Sequence, residues 1–130
     1  RVKPRLNLVA IVALFFIYKE YAQMALNSLM VKTVSVANTE VTVYTVPSNK
    51  QFSNVSVNLV NTGSSPATIK MGVTTGSNLN AVDYLEYNAT LSENGGRLRR
   101  TNILMSPNEK LIVNASTGTV GIRAFGLEQV

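Results

Sequence analysis

The sequence predicts an all-β fold, an eight-stranded antiparallel β-sandwich of jelly-roll or Ig-like type, preceded by one apolar N-terminal α-helix. Three observations carry this expectation. From Val31 onward, apolar and polar residues alternate with period two, as on half-buried strands. Clusters of Gly, Pro, Asn and Ser interrupt that alternation at short, regular intervals and leave no room for a helix. Composition also changes abruptly near Met30: Ala, Leu, Met, Lys, Glu and Gln dominate before it, and Val, Thr, Ser, Asn and Gly after it. The predicted organisation is a basic and apolar helical arm over residues 1–30 and a β-sandwich domain over residues 31–130.

In the arm, residues 6–18 read LNLVAIVALFFIY, apolar except for Asn7. Beyond it, the polar residues Glu20, Gln23 and Asn27 recur at helical spacing, which predicts one helix over residues 6–29. Pro4 suits its first turn, where a missing N–H costs nothing. Thirteen residues rise about 20 Å as a helix, short of a hydrocarbon core of about 30 Å. Extending the span to Leu29 would place Lys19 and Glu20 inside it. Arg1, Lys3 and Arg5 before the apolar run also fit a signal peptide, but Ala22-Gln23-Met24 lacks the small-x-small cleavage pattern. The favoured reading is a helix buried against other subunits, with Leu8, Ile11, Phe15 and Phe16 as its assembly contacts; membrane contact is the alternative. The sequence opens on Arg1 rather than Met, and Met30 is a plausible internal start.

The strands follow in order. Residues 31–36 alternate. Residues 40–46 read EVTVYTV, with Val41, Val43 and Thr45 on one face, and Pro47-Ser48-Asn49-Lys50 forms a turn. Residues 52–60 place Val55, Val57 and Leu59 inward. After the turn at 61–66, residues 67–74 place Ile69, Met71 and Val73 on one face. Residues 75–81 form a loop, and residues 83–88, DYLEYN, a strand. Asn94-Gly95-Gly96 turns into the strand at 97–104, and Ser106-Pro107-Asn108 into the strand at 110–115. Thr117-Gly118 then leads to the last strand, at 120–127. The predicted core is Val55, Val57, Leu59, Ile69, Met71, Leu111, Val113, Val120 and Ile122.

Composition narrows the function. The 130 residues contain no His, Cys or Trp. Thiol nucleophiles, imidazole acid–base chemistry, zinc sites of the usual kind and disulfides are therefore out of reach, and no cofactor is implied. The formal charge is +5, with +3 in residues 1–30 and +2 in the long segment. That near balance points away from a specific nucleic-acid reader, which concentrates cations on one face. Arg97-Leu98-Arg99-Arg100 is the densest basic run, and as a strand it puts Arg97 and Arg99 on one face and Arg100 on the other. Tyr84 and Tyr87, beside Asp83 and Glu86, form the densest polar–aromatic cluster. These two tyrosines and three arginines are the candidate ligand contacts. Asp83 and Glu86 are three apart on a strand and diverge, so they form no acid–base pair. Asp83 alone, without an acid-rich loop, is poor support for calcium. The N-x-S/T sequences at Asn54, Asn88 and Asn114 are explained by the fourteen Asn of the chain, and no cysteine frame supports a secretory setting. Gly95-Gly96 lies in a hairpin turn and makes no phosphate cradle. No acid, base and nucleophile converge, so no enzyme is predicted.

Several segments carry a resemblance. Val43-Tyr44-Thr45-Val46-Pro47 is followed by Asn54-Val55-Ser56-Val57-Asn58-Leu59-Val60-Asn61, then Asp83-Tyr84-Leu85-Glu86-Tyr87, and finally Gly121-Ile122-Arg123-Ala124-Phe125-Gly126. This succession, over roughly residues 41–128, resembles small β-sandwich structural proteins of tailed-phage virions. The resemblance implies a capsid decoration or cement subunit that bridges its neighbours, or a tail, neck or fibre component. Its partners would be capsid or other virion proteins, and it would reside on the particle surface or tail. Residues 1–30 fall outside the resemblance. A small domain without disulfides, carrying an exposed apolar segment, is also expected to self-associate, with a trimer favoured. The competing classes are a cell-surface filament subunit and a membrane-anchored binding module presenting Tyr84 and Tyr87.

Overall fold

The computed structural model describes residue 12 and residues 26–130. Eight strands follow one another: β1 (Leu26–Val34), β2 (Thr39–Thr45), β3 (Phe52–Asn61), β4 (Ala67–Thr74), β5 (Tyr84–Leu91), β6 (Arg97–Met105), β7 (Lys110–Ala115) and β8 (Val120–Gln129). They form two four-stranded antiparallel sheets, ordered β1-β8-β3-β6 and β2-β7-β4-β5. The predicted alternation is the cause: each strand buries one face and hydrates the other, and two such sheets can only close on each other.

The expected N-terminal helix is corrected by this structure. Residues 26–29, its predicted last turn, are the opening of β1, where Leu26 pairs with Gln129 and Leu29 with Gly126. Residues 26–130 contain no helix. Cross-strand pairing along β8 outweighs the helical propensity of this stretch, a usual outcome where tertiary context opposes local preference. The composition break at Met30 thus lies inside a strand. Apart from Val12, the remainder of the predicted helix lies outside the described residues.

Strands pair in nested order: β4 with β5, β3 with β6, β2 with β7 and β1 with β8. The chain is one long hairpin, rolled so that β3 also meets β8 and β4 also meets β7. Consecutive β1 and β2 lie in different sheets, whereas an immunoglobulin sandwich keeps its first two strands together. Asn38 makes the crossing between them: at φ 54° it swings the chain over, and its N–H donates to Ala115 O at 2.8 Å.

All nine predicted core residues are buried, and Val43, Val46, Ala67, Leu91, Ile103, Met105, Ala115 and Ala124 complete the same cluster. Burying each large aliphatic side chain contributes about 1.5–3 kcal/mol, which is how a chain without disulfides holds two sheets together. The alternation predicted for residues 40–46 breaks at Val43, where the β2–β7 register shifts. Tyr44 consequently reaches between the sheets.

Candidate interaction surfaces

Each end of the sandwich is sealed by a polar knot. At one end Asn61 is fully buried. Its Nδ2 donates to Ser65 O at 2.8 Å and Leu91 O at 3.4 Å, and its Oδ1 accepts from Gly63 N at 3.0 Å and Thr119 Oγ1 at 2.9 Å. One side chain thereby ties three separate connections. At the other end the Tyr44 hydroxyl donates to the Glu128 carboxylate and shares a hydrogen bond with Ser53 Oγ at 2.8 Å. Burial, and then the bond to Glu128, push the Tyr44 pKa up from 10.0 to about 12. That shift opposes proton transfer near neutrality, and Ser53 is fully buried, so the Tyr–Ser–Glu cluster is structural.

The remaining carboxylates are mostly engaged in local structure. Glu40 accepts the Leu79 N–H at 3.3 and 3.4 Å through its two oxygens. Asp83 accepts the Asn80 N–H at 2.8 Å, and Glu109 the Ser106 N–H at 2.6 Å. Glu86 pairs with Arg100 at 3.0 Å, joining the edge strands of the two sheets. Asp83 therefore closes a turn, and Glu86 braces an edge. Among the described residues no group of three or more acidic side chains is placed to hold a metal ion.

Chemistry that could meet a partner lies on the two outer faces. On the β1-β8-β3-β6 sheet, Lys32, Arg123, Asn58 and Arg99 stand in one register row across all four strands. The next row is Val34, Gly121, Val60 and Arg97. A hollow of about 330 Å³ is lined by Met30, Asn58, Arg97, Arg99, Arg123 and Phe125. The Arg99 guanidinium lies 5.7 Å from the centre of the Phe125 ring, and Arg123 Nη2 is 3.8 Å from Met30 Sδ. No position of these rows carries Asp or Glu.

The outer face of β2-β7-β4-β5 differs. Ile112 alternates with the core residues Leu111 and Val113, so it points outward, yet it is only 1% exposed. The loop 75–83 covers it. Leu79 Cδ2 comes within 2.9 Å of where a Gly72 Cβ would stand, and Gly72 is the register partner of Ile112. A backbone oxygen of Asp83 would lie 2.4 Å from that Cβ, so only glycine permits the loop to lie this close. Beside the loop, a polar hollow of about 370 Å³ is lined by Asn38, Thr68, Lys70, Asn88, Asn114 and Ser116.

Tyr84 and Tyr87 meet here edge to face, with ring centres 4.9 Å apart, and Lys70 Nζ lies 5.1 Å from the Tyr87 ring. Regular alternation would send residues three apart to opposite faces. Two register shifts between β4 and β5 bring them together. Of the sequence-predicted contacts, the structure therefore groups Tyr84 with Tyr87 and Arg97 with Arg99, and sends Arg100 to Glu86. Lys32, Arg123 and Lys70 join these groups without any sequence motif to announce them. The predicted assembly contacts Leu8, Ile11, Phe15 and Phe16 lie outside the described residues.

No family model matches the sequence, and no curated protein matches it. Among solved structures, the chain is similar to a pentameric capsid protein isolated from metagenomic phage sequences, at 19% identity and a TM-score of 0.49, covering 100% of this chain and 79% of that one. A second crystal structure of a pentameric capsid protein from metagenomic phage sequences, solved by iodide phasing, is similar at 19% identity and a TM-score of 0.41, over 100% of this chain and 79% of that one.

Proposed function

We propose that this chain is a non-enzymatic structural subunit of a phage virion, a capsid decoration or cement protein that bridges neighbouring subunits. The observation that carries the reading is where apolar side chains remain exposed. Most of those described lie at the margins of the sandwich: Leu26, Met30 and Val34 on the edge strand β1, Val36 just after it, Val82 just before β5, Tyr87 on β5, and Leu104 on β6. Margins of this kind suit lateral contact with other subunits, and unpartnered apolar edges are otherwise a liability. The nested strand order supports a jelly roll, an architecture used by viral capsid subunits and by lectins. The segments that resemble tailed-phage structural proteins lie along β2, β3, β5 and β8, within the two sheets.

The residues ahead of β1 then serve as an attachment arm, with Leu8, Ile11, Phe15 and Phe16 as its anchors. An apolar corner made by Leu26, Phe52 and Leu127, each more than a third exposed, lies at the start of β1 and supports this reading. The working state is a homo-oligomer, with a trimer as the expected unit. Light scattering on the full chain without detergent tests this reading. It predicts a mass of several subunits. A stable monomer would contradict it, and a protein soluble only in detergent would favour a membrane-anchored module instead.

A further inference from the structure

The outer face of β1-β8-β3-β6 has a chemistry that bridging alone does not require. Lys32, Arg97, Arg99 and Arg123 are all exposed there, on three of its four strands. Strands about 4.8 Å apart spread them over roughly 14 Å across the sheet, and Arg97 and Arg99 stand about 6.6 Å apart along β6. Cations at that spacing, with no carboxylate in their rows, match a chain of repeating anions. Three of the four are arginines, whose planar forks hold phosphate oxygens in pairs. We propose that this face binds the sugar–phosphate backbone of nucleic acid without reading its sequence.

An anionic membrane is the competing occupant, because a lipid surface draws on exposed apolar side chains beside cations, and Met30 and Val34 are exposed on the edge strand β1. The centre of the face is polar instead: Arg99 lies against the half-buried Phe125 and stands in one row with Arg123. Asn58, at the centre of the row, adds a neutral polar group. One copy offers few contacts, and subunits arrayed on a shell would add them by avidity. The binding itself does not depend on the virion reading and is measured apart from it.

The test is fluorescence anisotropy of the full chain with a labelled single-stranded oligonucleotide and, separately, a duplex, across a salt series. Either form supports the proposal, because the backbone is the ligand. Four phosphate contacts on a single strand predict a slope of log K against log salt of about −3. The double variant Arg99→Gln/Arg123→Gln should flatten that slope by about 1.4 and weaken binding by roughly tenfold or more at low salt. Asn58→Glu, which removes no cation, should weaken binding in the same direction. Lys70→Gln, on the opposite sheet, should stay within about twofold of wild type. Unchanged affinity and slope in the double variant would overturn the proposal and move any binding to the cations of the arm. Binding to anionic vesicles but to neither nucleic acid would overturn it as well.

Discussion

Asn61 shows what a single polar side chain does when it is fully buried and fully bonded. Replacing it with Ala leaves the Gly63 N–H, the Thr119 hydroxyl and the Ser65 carbonyl without this partner. Those groups are part-buried and water can replace this partner, whereas the Leu91 carbonyl loses a buried bond; one buried group left unsatisfied costs about 1–3 kcal/mol, so Asn61→Ala should lose about 1–3 kcal/mol in urea unfolding. A loss within the range of an ordinary surface change would mean that the knot is not structural. Tyr44 makes a prediction in pH. Its hydroxyl ionises at 10.0 in the unfolded chain and at about 12 in the folded one, so the folded state keeps its proton longer. The stabilisation is fully present below pH 10.0 and is lost as pH rises through about 12. Melting temperature should fall over that window, and Tyr44→Phe should reduce this part of the fall. Neither role was legible in the sequence. The fourteen Asn residues carry no pattern that sets any of them apart, yet Asn38, Asn88, Asn94, Asn102 and Asn108 hold left-handed backbone conformations, with φ between 54° and 70°. Asn tolerates that region better than other side chains, and pattern reading takes no account of it.

The strands themselves were legible almost to their ends, because burial on one face imposes period two on the sequence. What broke the pattern was irregular pairing. A bulge exchanges the faces of the residues beyond it, so the meeting of Tyr84 and Tyr87 followed from the β4–β5 register and not from their spacing. At β1 the failure ran the other way. Glu20, Gln23 and Asn27 set a helical period that was carried into residues 26–29, where pairing with β8 decides the outcome. In sequence, residues 75–81 read as an ordinary connection, although the loop, which runs on to Asp83, roofs Ile112 with Leu79. Gly72→Ala would drive a methyl group into Leu79 and the Asp83 backbone, so it should lift this loop. Hydrogen exchange should then quicken at Leu79, whose N–H is held by Glu40, and leave β3 and β8 as they were. Equal exchange throughout would show that the loop does not depend on that close approach. Arg97 and Arg99 could be placed on one face from sequence alone. Their union with Lys32 and Arg123 depends on β1 and β8 lying in the same sheet as β6, which only the topology supplies.

At the scale of the molecule, the nested pairing brings the first and last strands together and leaves β1, β6, β2 and β5 as edges. Long-range pairing of this kind is slow to form, because distant segments must meet before any contact offsets the cost of closing the loop. The finished sandwich has sealed ends, margins carrying exposed apolar groups and two outer faces of different character, one basic and one Asn-rich with a tyrosine pair. A subunit that contacts neighbours through its margins can present one face to the interior of a shell and the other outward. Phe15→Asp is expected to leave the melting of the sandwich unchanged and to prevent incorporation into particles, since a charge in a dry contact lacks a partner. Normal incorporation would remove the arm as the anchor. The most direct measurement is electron microscopy of the native particle at a resolution that separates strands. The account predicts density for this eight-stranded sandwich at repeated positions on the virion, its margins against neighbouring subunits. Purified particles that lack the chain altogether would contradict it.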